Sequence, residues 1–280
     1  MSRSRRFAQV DVFSATPYLG NPVAVVLDAE GLDADDMLRV ARWTNLSETT
    51  FVLPATVPGA DYRLRIFTPG GELPFAGHPT LGSAHAWLES GGTPADGAYV
   101  VQECGAGLVQ IRRGPGELAF AAPPTRREGA LDDDHLELLI RAFGVTRDDV
   151  VGHQWVDNGP GWAVLRLRSA DAVLALDPDL SLIPDAMVGA VGAYPPGSPH
   201  AFELRSFAPA IGIAEDPVCG SMNASVAQWL IRSGEASDAY RVSQGKRLGR
   251  AGDIAITADE DGAVWVGGAT QTLFQGTALI

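Results

Sequence analysis

The chain repeats a short pattern at half its length, and this repeat constrains the fold more than any other feature. Residues 65–69, Arg-Ile-Phe-Thr-Pro, return 140 residues later as residues 205–209, Arg-Ser-Phe-Ala-Pro, in a chain of 280 residues. Each copy ends a strand-like run and precedes a glycine-containing loop and then a helical pattern. Because a fixed internal period indicates a repeated structural unit, we expect two similar halves.

The two helical patterns also end alike. Trp87 is followed by Leu-Glu-Ser-Gly, and Trp229 is followed by Leu-Ile-Arg-Ser-Gly. Glycine just beyond a helix is a common stop, because it adopts the left-handed conformation without a clash at Cβ. Apolar residues recur at three- and four-residue spacing in both patterns, so each helix is expected to bury one face in a core.

The remaining elements are short strands with a few helices, in no steady alternation. This mixed order favours an α+β fold over a doubly wound sheet. The stretch 123–130 is polar and contains two prolines, so we divide the chain into halves 1–125 and 126–280, with the last strand free to cross back to the first half. The pattern predicts helices over residues 33–43 and 132–143, and it predicts strands that include residues 7–13, 23–27, 49–53, 264–266 and 273–278.

Composition excludes several classes of protein. Acidic residues outnumber basic ones by 34 to 21, and the basic residues form no aromatic-interleaved stripe, so nucleic acid and anionic membranes are not expected partners. No apolar run reaches the length of a membrane-spanning helix. Two cysteines make no disulfide framework, which suits a reducing cytoplasm. None of the five histidines has zinc-ligand spacing, so no metal is expected.

The two helix starts provide a place to bind an anion. When the two tryptophans are aligned, residues 77–80, Gly-His-Pro-Thr, superimpose on residues 219–222, Cys-Gly-Ser-Met. The first backbone N–H groups of a helix have no partner within it, and they readily bind a phosphate or carboxylate. We therefore expect that the two helix starts face one cleft and hold a small carboxylic acid between them.

Residues able to move protons stand beside these helix starts. They are His78 in the first half, Glu215 and Asp216 in the second, and Glu48 at the beginning of an apolar stretch. A carboxyl group at the edge of a core can have its pKa raised toward neutrality by desolvation, and it can then act as base and as acid. Each residue alone also has an ordinary interpretation as a solvated glutamate, a turn histidine or an aspartate that begins a helix.

At these residues the sequence closely resembles the PhzF family, whose fold is that of diaminopimelate epimerase. The resemblance implies two pseudo-symmetric halves, each a barrel-like sheet around a central helix, and a homodimer of such subunits. It extends over nearly the whole chain in family order. The matching segments are residues 11–13 with 20–22, 45–49, 75–80, 215–221, and 244–245 with Arg250.

The resemblance also implies roles for individual residues and an activity. The best-known activity of the family is isomerisation of a dihydro-hydroxyanthranilate, a proton shift that needs neither metal nor organic cofactor. We therefore predict a cofactor-independent biosynthetic isomerase acting on a small carboxylic acid. By resemblance Glu48 is the acid/base residue, His78 and Asp216 complete the polar site, Gly77, Gly220 and Ser221 bind the substrate carboxylate, and Asn21 lies against the substrate.

Three alternative functions remain to be weighed. The epimerase relatives use two opposed cysteines, whereas the internal alignment supplies Cys219 in the second half and Gly77 in the first. A two-thiol racemase is therefore not expected, although Cys219 can line the pocket, and an amino-acid racemase or epimerase that uses Glu48 with another base stays open. A non-catalytic metabolite-binding protein stays open as well. A serine hydrolase built on Ser221 lacks the Gly-x-Ser-x-Gly turn.

Overall fold

In the computed structural model, which describes residues 2–280, the chain forms two compact units. The first unit runs as far as Ala121 and resumes at Gly267, whereas the second unit comprises Ala122–Val266. The first unit is therefore assembled from both ends of the chain. No helix among residues 2–280 is long and apolar enough to cross a membrane.

Strands dominate both units, and each unit has one long buried helix. As far as Ala121 the elements are β1 (Ser4–Val12), β2 (Asn21–Val26), α1 (Ala34–Thr44), β3 (Thr49–Leu53), β4 (Tyr62–Thr68), β5 (Gly71–Leu73), α2 (Gly77–Glu89), β6 (Tyr99–Cys104), β7 (Gly107–Arg113) and β8 (Glu117–Ala121). From there on they are β9 (Arg127–Gly129), α3 (Asp133–Phe143), β10 (Val150–Asp157), β11 (Ala163–Leu167), α4 (Ala170–Leu174), β12 (Val188–Ala193), β13 (Phe202–Ala208), β14 (Ile213–Asp216), α5 (Gly220–Arg232), β15 (Ala239–Gln244), β16 (Gly252–Ala258) and β17 (Val264–Leu279). Four short 3₁₀ turns cover Arg147–Asp149, Leu180–Leu182, Pro209–Ile211 and Lys246–Leu248.

Eight strands of the first unit pair in a closed circuit. Strand β1 pairs antiparallel with β2 and with β17, β2 is parallel to β3, and β3 is antiparallel to β4. Strand β4 is parallel to β6, which continues antiparallel through β7 to β8. Strand β8 then pairs with β17, and this closes a barrel. Closure removes the exposed sheet edge that would otherwise invite pairing with other chains.

Helix α2 fills this barrel. It packs against strands β1, β2, β3, β4, β6 and β8, and every residue from Gly77 to Ala84 is buried. A helix that is buried on all sides needs no polar face. It must also approach the barrel wall closely, because a Cβ placed on Gly82 would lie 2.4 Å from Cγ1 of Val23. Glycine at position 82 therefore allows the helix to fit.

The second unit repeats the pairing order of the first. Strands β10 and β11 are antiparallel, β11 is parallel to β12, β12 is antiparallel to β13, β13 is parallel to β15, and β15 is antiparallel to β16. This is the sequence of pairings seen from β1 to β7. Short strands β5 and β14 pair antiparallel with β4 and β13 at matching places. The predicted α+β fold of two pseudo-symmetric halves, each barrel-like around a central helix, is confirmed.

The repeated pentapeptide also makes the same contact in both units. Cζ of Arg65 lies 5.1 Å from the ring centroid of Phe67, and Cζ of Arg205 lies 5.1 Å from the ring centroid of Phe207. A guanidinium group at this distance from an aromatic ring makes a favourable cation–π contact. The repeat read in the sequence is therefore a repeat of three-dimensional contacts.

The two helices predicted from amphipathic patterns are confirmed, each beginning one residue later than predicted. Asp33 precedes α1 and accepts a hydrogen bond from the Asp36 backbone at 2.8 Å. Asp132 precedes α3 and accepts one from the His135 backbone at 2.9 Å. Both aspartates are N-caps, because their carboxylates satisfy N–H groups that the helix leaves unpaired.

The strand predictions differ from the structure by joining two predicted strands into one and by missing β5, β8, β9, β12 and β14. The segments 264–266 and 273–278, predicted as separate strands, are parts of one strand, β17, which has 16 residues. Strand β12 was not predicted, because its sequence, Val-Gly-Ala-Val-Gly-Ala, is rich in a residue that weakens strands. The glycine is needed for packing, since a Cβ on Gly189 would lie 2.8 Å from the Arg205 carbonyl oxygen of the neighbouring strand and 2.2 Å from Sδ of Met222 on α5.

Candidate active site

Glu48 lies in the short turn that joins α1 to β3. Helix α1 ends at Thr44, and the φ of 55° at the next residue, Asn45, turns the chain out of the helix. The next residues lead into β3, and hydroxyls at both ends of the turn meet, with Oγ1 of Thr44 lying 2.7 Å from Oγ1 of Thr49. The turn therefore fixes Glu48 directly before a buried strand, and the residue is only 8% exposed.

His78, the second residue of α2, brings three of the predicted site residues together. Its Nε2 atom lies 3.3 Å from Oε2 of Glu48, and its Nδ1 atom lies 3.3 Å from Nδ2 of Asn21. The contact with Glu48 is at ion-pair distance but outside hydrogen-bond geometry. Such contacts are often loose before substrate binds. Glu48, His78 and Asn21 thus form one buried polar group in the first unit.

The imidazole of His78 is neutral at ordinary pH. Burial lowers its pKa from 6.5 to about 3, because a charged ring would lose its hydration. A hydrogen bond to the backbone of Pro22 opposes this shift, and since proline has no N–H, the ring is the donor. At neutral pH the imidazole can therefore donate and accept hydrogen bonds but carries no positive charge.

Gly77 belongs to the same site through the start of α2. The residue before the helix, Ala76, provides no side-chain cap, and Pro79 has no N–H. The Thr80 N–H already donates to the Ala76 carbonyl at 3.2 Å. The N–H groups of Gly77 and His78 are the first-turn donors without a partner inside the helix. They are the groups with which this helix start could hold an anion.

Asp11 is a supporting residue that sequence reasoning left without a role. It is 2% exposed, and its Oδ2 atom accepts a hydrogen bond from the Gly20 backbone at 3.1 Å. A Cβ on Gly20 would lie 2.2 Å from the Val12 carbonyl oxygen, so glycine is needed there. This contact holds the end of the loop that delivers Asn21. The sequence signal for this supporting role was an acidic residue between two valines, both of which are buried in the structure.

In the second unit, Asp216 ends β14 and shapes the turn that leads to α5. Its Oδ1 atom accepts a hydrogen bond from the Val218 backbone at 3.0 Å. Helix α5 then begins at Gly220, and the preceding Cys219 provides no side-chain cap. The first turn of α5 therefore has the same kind of uncapped start as α2.

Ser221 is held from the side by two residues that precede β11. Its hydroxyl accepts a hydrogen bond from Nε1 of Trp162 at 2.8 Å, and its carbonyl accepts one from Nδ2 of Asn158 at 3.0 Å. A hydroxyl that accepts from an indole keeps its own proton available for a second partner. Ser221 can thus still donate a hydrogen bond to an anion.

The thiol of Cys219 is protonated. The residue is 6% exposed, and burial raises the pKa of its thiol well above the ordinary value, with a further contribution from the negative charge of Asp216. A cysteine at a helix start normally has a lowered pKa. Here desolvation outweighs that effect, so the side chain is a poor nucleophile and a poor base.

Glu215 does not belong with the proton-moving residues. Its carboxylate accepts two hydrogen bonds from Arg205, at 2.9 and 2.8 Å. Arg205 also donates to the carbonyls of Val173 and Leu176. The pair is a structural ion pair, and the first unit has a counterpart between Arg65 and Glu72.

Other candidate sites lie away from these groups. Among residues 2–280 no three histidine, cysteine, aspartate or glutamate side chains cluster as a metal site would require. One cavity of about 340 Å³ lies at the far end of α2 beside Trp87, and another of about 500 Å³ lies beside Arg5 and α1. Neither is lined by a predicted site residue.

Known proteins of similar sequence cover almost the whole chain. Antisense-enhancing sequence 1 of Schizosaccharomyces pombe is 37% identical over 98% of both chains. Trans-2,3-dihydro-3-hydroxyanthranilate isomerase of Pseudomonas fluorescens is 36% identical over 86% of both chains. The names of these two relatives describe different properties, so identity at this level leaves the activity of the present chain to be argued from its site.

Solved structures extend the likeness to the fold. A PhzF-family phenazine biosynthesis protein of Bacillus anthracis superimposes with a TM-score of 0.85, at 24% identity, over 99% of this chain and 100% of the other. A predicted epimerase of Pseudomonas aeruginosa superimposes with a TM-score of 0.81, at 28% identity, over 99% of both. The PhzC-PhzF family of phenazine biosynthesis-like proteins matches residues 10–278, and this chain belongs to that family.

Proposed function

We propose that this chain is a PhzF-like isomerase that moves a proton within a small carboxylic acid, with Glu48 as the acid/base residue. The observation that carries the proposal is the buried carboxyl of Glu48, 3.3 Å from an imidazole that stays neutral, beside an uncapped helix start. The isomerase of Pseudomonas fluorescens, at 36% identity, supports the reaction type.

The chemistry follows from the groups present. The Glu48 carboxylate removes a proton from a carbon next to an unsaturated system, and the electron pair left behind delocalises into that system. The resulting Glu48 carboxylic acid then returns the proton to another carbon of the same conjugated acid. Nothing is oxidised or reduced, and the base is regenerated. In this proposal the reaction proceeds without a metal or an organic cofactor, because one positioned acid/base residue completes the cycle.

The other predicted residues hold the substrate. We assign the backbone N–H of Gly77, the backbone of Gly220 and the hydroxyl of Ser221 to the substrate carboxylate. His78 and Asn21 orient the reacting end, and Asp216 completes the polar site. The proposal retains the expectation, drawn from the sequence repeat, that both halves contribute to one cleft. If both halves contribute, Ser221→Ala should raise the KM for the acid whose turnover depends on Glu48.

Racemisation by two thiols is disfavoured by the residues at the helix starts. The sequence alignment places Gly77 opposite Cys219 and the helix starts place Ala76 there, so the first half has no thiol at either position, and the Cys219 thiol before α5 is buried and protonated. Cys104 is the last residue of β6 and belongs to neither helix start. An epimerase that uses Glu48 would therefore need a second base of another kind.

The proposal is tested by incubating the protein in deuterium oxide with cyclic and amino-acid-like carboxylic acids and following label uptake by NMR. Isomerisation should place deuterium at a new carbon of one acid, and inversion of a centre without a shifted double bond would indicate an epimerase. Saturable binding without exchange of any acid would indicate a metabolite-binding protein. Family resemblance also leads us to propose a cytoplasmic homodimer, to be measured by sedimentation and cell fractionation.

A further inference from the structure

Gln244, the last residue of β15, uses every hydrogen-bonding position of its side-chain amide. Its Oε1 atom accepts from the Cys219 backbone at 3.1 Å and from Nδ2 of Asn223 at 2.8 Å. Its Nε2 atom donates to Oγ of Ser206 at 2.9 Å and to the Asp216 carbonyl at 3.1 Å. A glutamine amide has two donor and two acceptor positions, and this one is fully occupied in a side chain that is 0% exposed.

These partners lie on both sides of the turn between β14 and α5. The Asp216 carbonyl marks the beginning of the turn, and the Cys219 N–H marks its end. Asn223 adds a second clamp, because its Nδ2 atom also donates to the Cys219 carbonyl at 2.9 Å. Both polar groups of the Cys219 backbone are therefore fixed through Gln244 and Asn223. Their positions set the direction in which the next N–H groups, those of Gly220 and Ser221, point.

The residue after Gln244 is fitted to the same turn. Gly245 has a φ of 93°, and a Cβ there would lie 2.6 Å from the Pro217 carbonyl oxygen. Backbone therefore packs on backbone at this point, and a larger residue would push the turn away. The end of β15 supports the turn both through the Gln244 side chain and through direct contact.

We propose that Gln244 is a positioning residue, which holds Asp216 and the first turn of α5 in the geometry that binds the substrate carboxylate. This inference rests on the proposed function. The first unit has a related glutamine on β6, Gln102, which accepts from the Tyr62 hydroxyl at 2.9 Å and donates to Oγ1 of Thr80 at 3.1 Å. That side chain also reaches the first turn of its central helix, so the support is repeated in both units.

The test compares Gln244→Met with Gln228→Met. Methionine keeps the volume but removes all four hydrogen bonds. Gln228 lies on α5, far from the first turn of that helix, and bonds to Thr125 and to the Pro123 carbonyl. At a temperature at which both variants are folded, we expect Gln244→Met to raise KM and lower kcat, each by about tenfold or more, whereas Gln228→Met keeps wild-type values.

A measurement without substrate separates this inference from the proposed function. The Cys219 amide should exchange with deuterium faster in Gln244→Met than in wild type, and Gln228→Met should leave that exchange unchanged. Wild-type kcat and KM in folded Gln244→Met would overturn the positioning role while leaving the isomerase proposal intact. If Gln244→Met does not fold, Asn223→Ala removes one clamp, and unchanged KM and Cys219 exchange in that variant would equally overturn the inference.

Discussion

Nε2 of His78 lies 3.3 Å from Oε2 of Glu48, and the pKa of this imidazole is lowered to about 3 by burial. A ring with so low a pKa is a weak base at neutral pH. An efficient general acid or base has a pKa near the working pH. The imidazole is therefore poorly suited to removing a proton at neutral pH, and our proposal assigns proton transfer to the Glu48 carboxyl group and orientation of the substrate to His78.

The first prediction follows from this assignment. Glu48→Gln should lower proton transfer by roughly 10²-fold or more, the range typical of a positioned acid/base residue, because an amide has nearly the same shape but cannot cycle a proton. Glu137→Gln, on the exposed face of α3, is the matched control and should keep the wild-type rate. The measurement is substrate deuteration in deuterium oxide. A Glu48→Gln variant that exchanges at the wild-type rate would remove Glu48 from the mechanism.

A second prediction separates orientation from proton relay. His78→Asn should reduce the exchange rate less than Glu48→Gln does, since the neutral ring contributes hydrogen bonds and not a charge. Steady-state kinetics of the two variants side by side make the comparison. An equal loss in both would mean that the imidazole relays the proton.

The third prediction concerns stability at low pH. His78 has a pKa of about 3 in the folded protein and an ordinary value near 6.5 when unfolded, so between these values the unfolded chain binds the extra proton. Its contribution to stability is therefore complete above pH 6.5 and is lost as the pH falls, by about 1.4 kcal/mol per pH unit. Urea unfolding of wild type and His78→Asn between pH 7 and 4 measures this. Parallel pH profiles for the two proteins would contradict the lowered pKa.

The fourth prediction concerns the buried thiol. Cys219→Ser should leave the exchange rate within about one order of magnitude of wild type, less than the loss typical of an acid/base residue. Native Cys219 should also resist iodoacetamide at pH 8, because burial raises its pKa. Peptide mass spectrometry before and after unfolding gives the labelled fraction. A nearly inactive Cys219→Ser would restore thiol chemistry as an explanation.

The fifth prediction uses the two repeated ion pairs, which differ in burial. The Arg205 and Glu215 side chains are 5% and 11% exposed, whereas those of Arg65 and Glu72 are 20% and 41% exposed. Glu215→Gln should reduce the free energy of unfolding by about 3 kcal/mol or more, because it leaves a buried guanidinium without its counter-charge. Glu72→Gln should cost less than about 1 kcal/mol. Urea unfolding at constant pH measures both, and equal losses would refute the distinction.

The sequence was informative about the fold where a residue acts through a local pattern. Asp33 and Asp132 indicate helix starts, because an N-cap residue bonds to backbone N–H groups only a few residues further along the chain. The two copies of Arg-x-Phe were recognisable because both preserve one contact at the same spacing. Strand β12 gave no such signal. Its glycine at position 189 is required by the Arg205 backbone and the Met222 side chain, which are distant in sequence and adjacent in space.

In the candidate site, too, local patterns could be recognised in the sequence and contacts between distant residues could not. Glu48 and His78 could be proposed from their side chains and surroundings in the sequence, and they lie together in the structure. The support given by Asp11 and Gln244 could not be inferred, because each acts through hydrogen bonds to turns remote along the chain. Glu215 illustrates the opposite error. Its position beside Asp216 in the sequence indicates a proton-transfer role, whereas in the structure its carboxylate is bound by Arg205.

Strand β17 has a consequence for how the protein is made. Its residues from Gly267 onward close the barrel that begins with β1, and Leu279 pairs with Ser4. Because these residues follow the second unit in the sequence, they are synthesised after it. The first barrel therefore keeps β1 and β8 as open edges until the second unit has been synthesised and these residues of β17 arrive. Open strand edges invite pairing with other chains, so the newly made chain is most prone to aggregation during this interval.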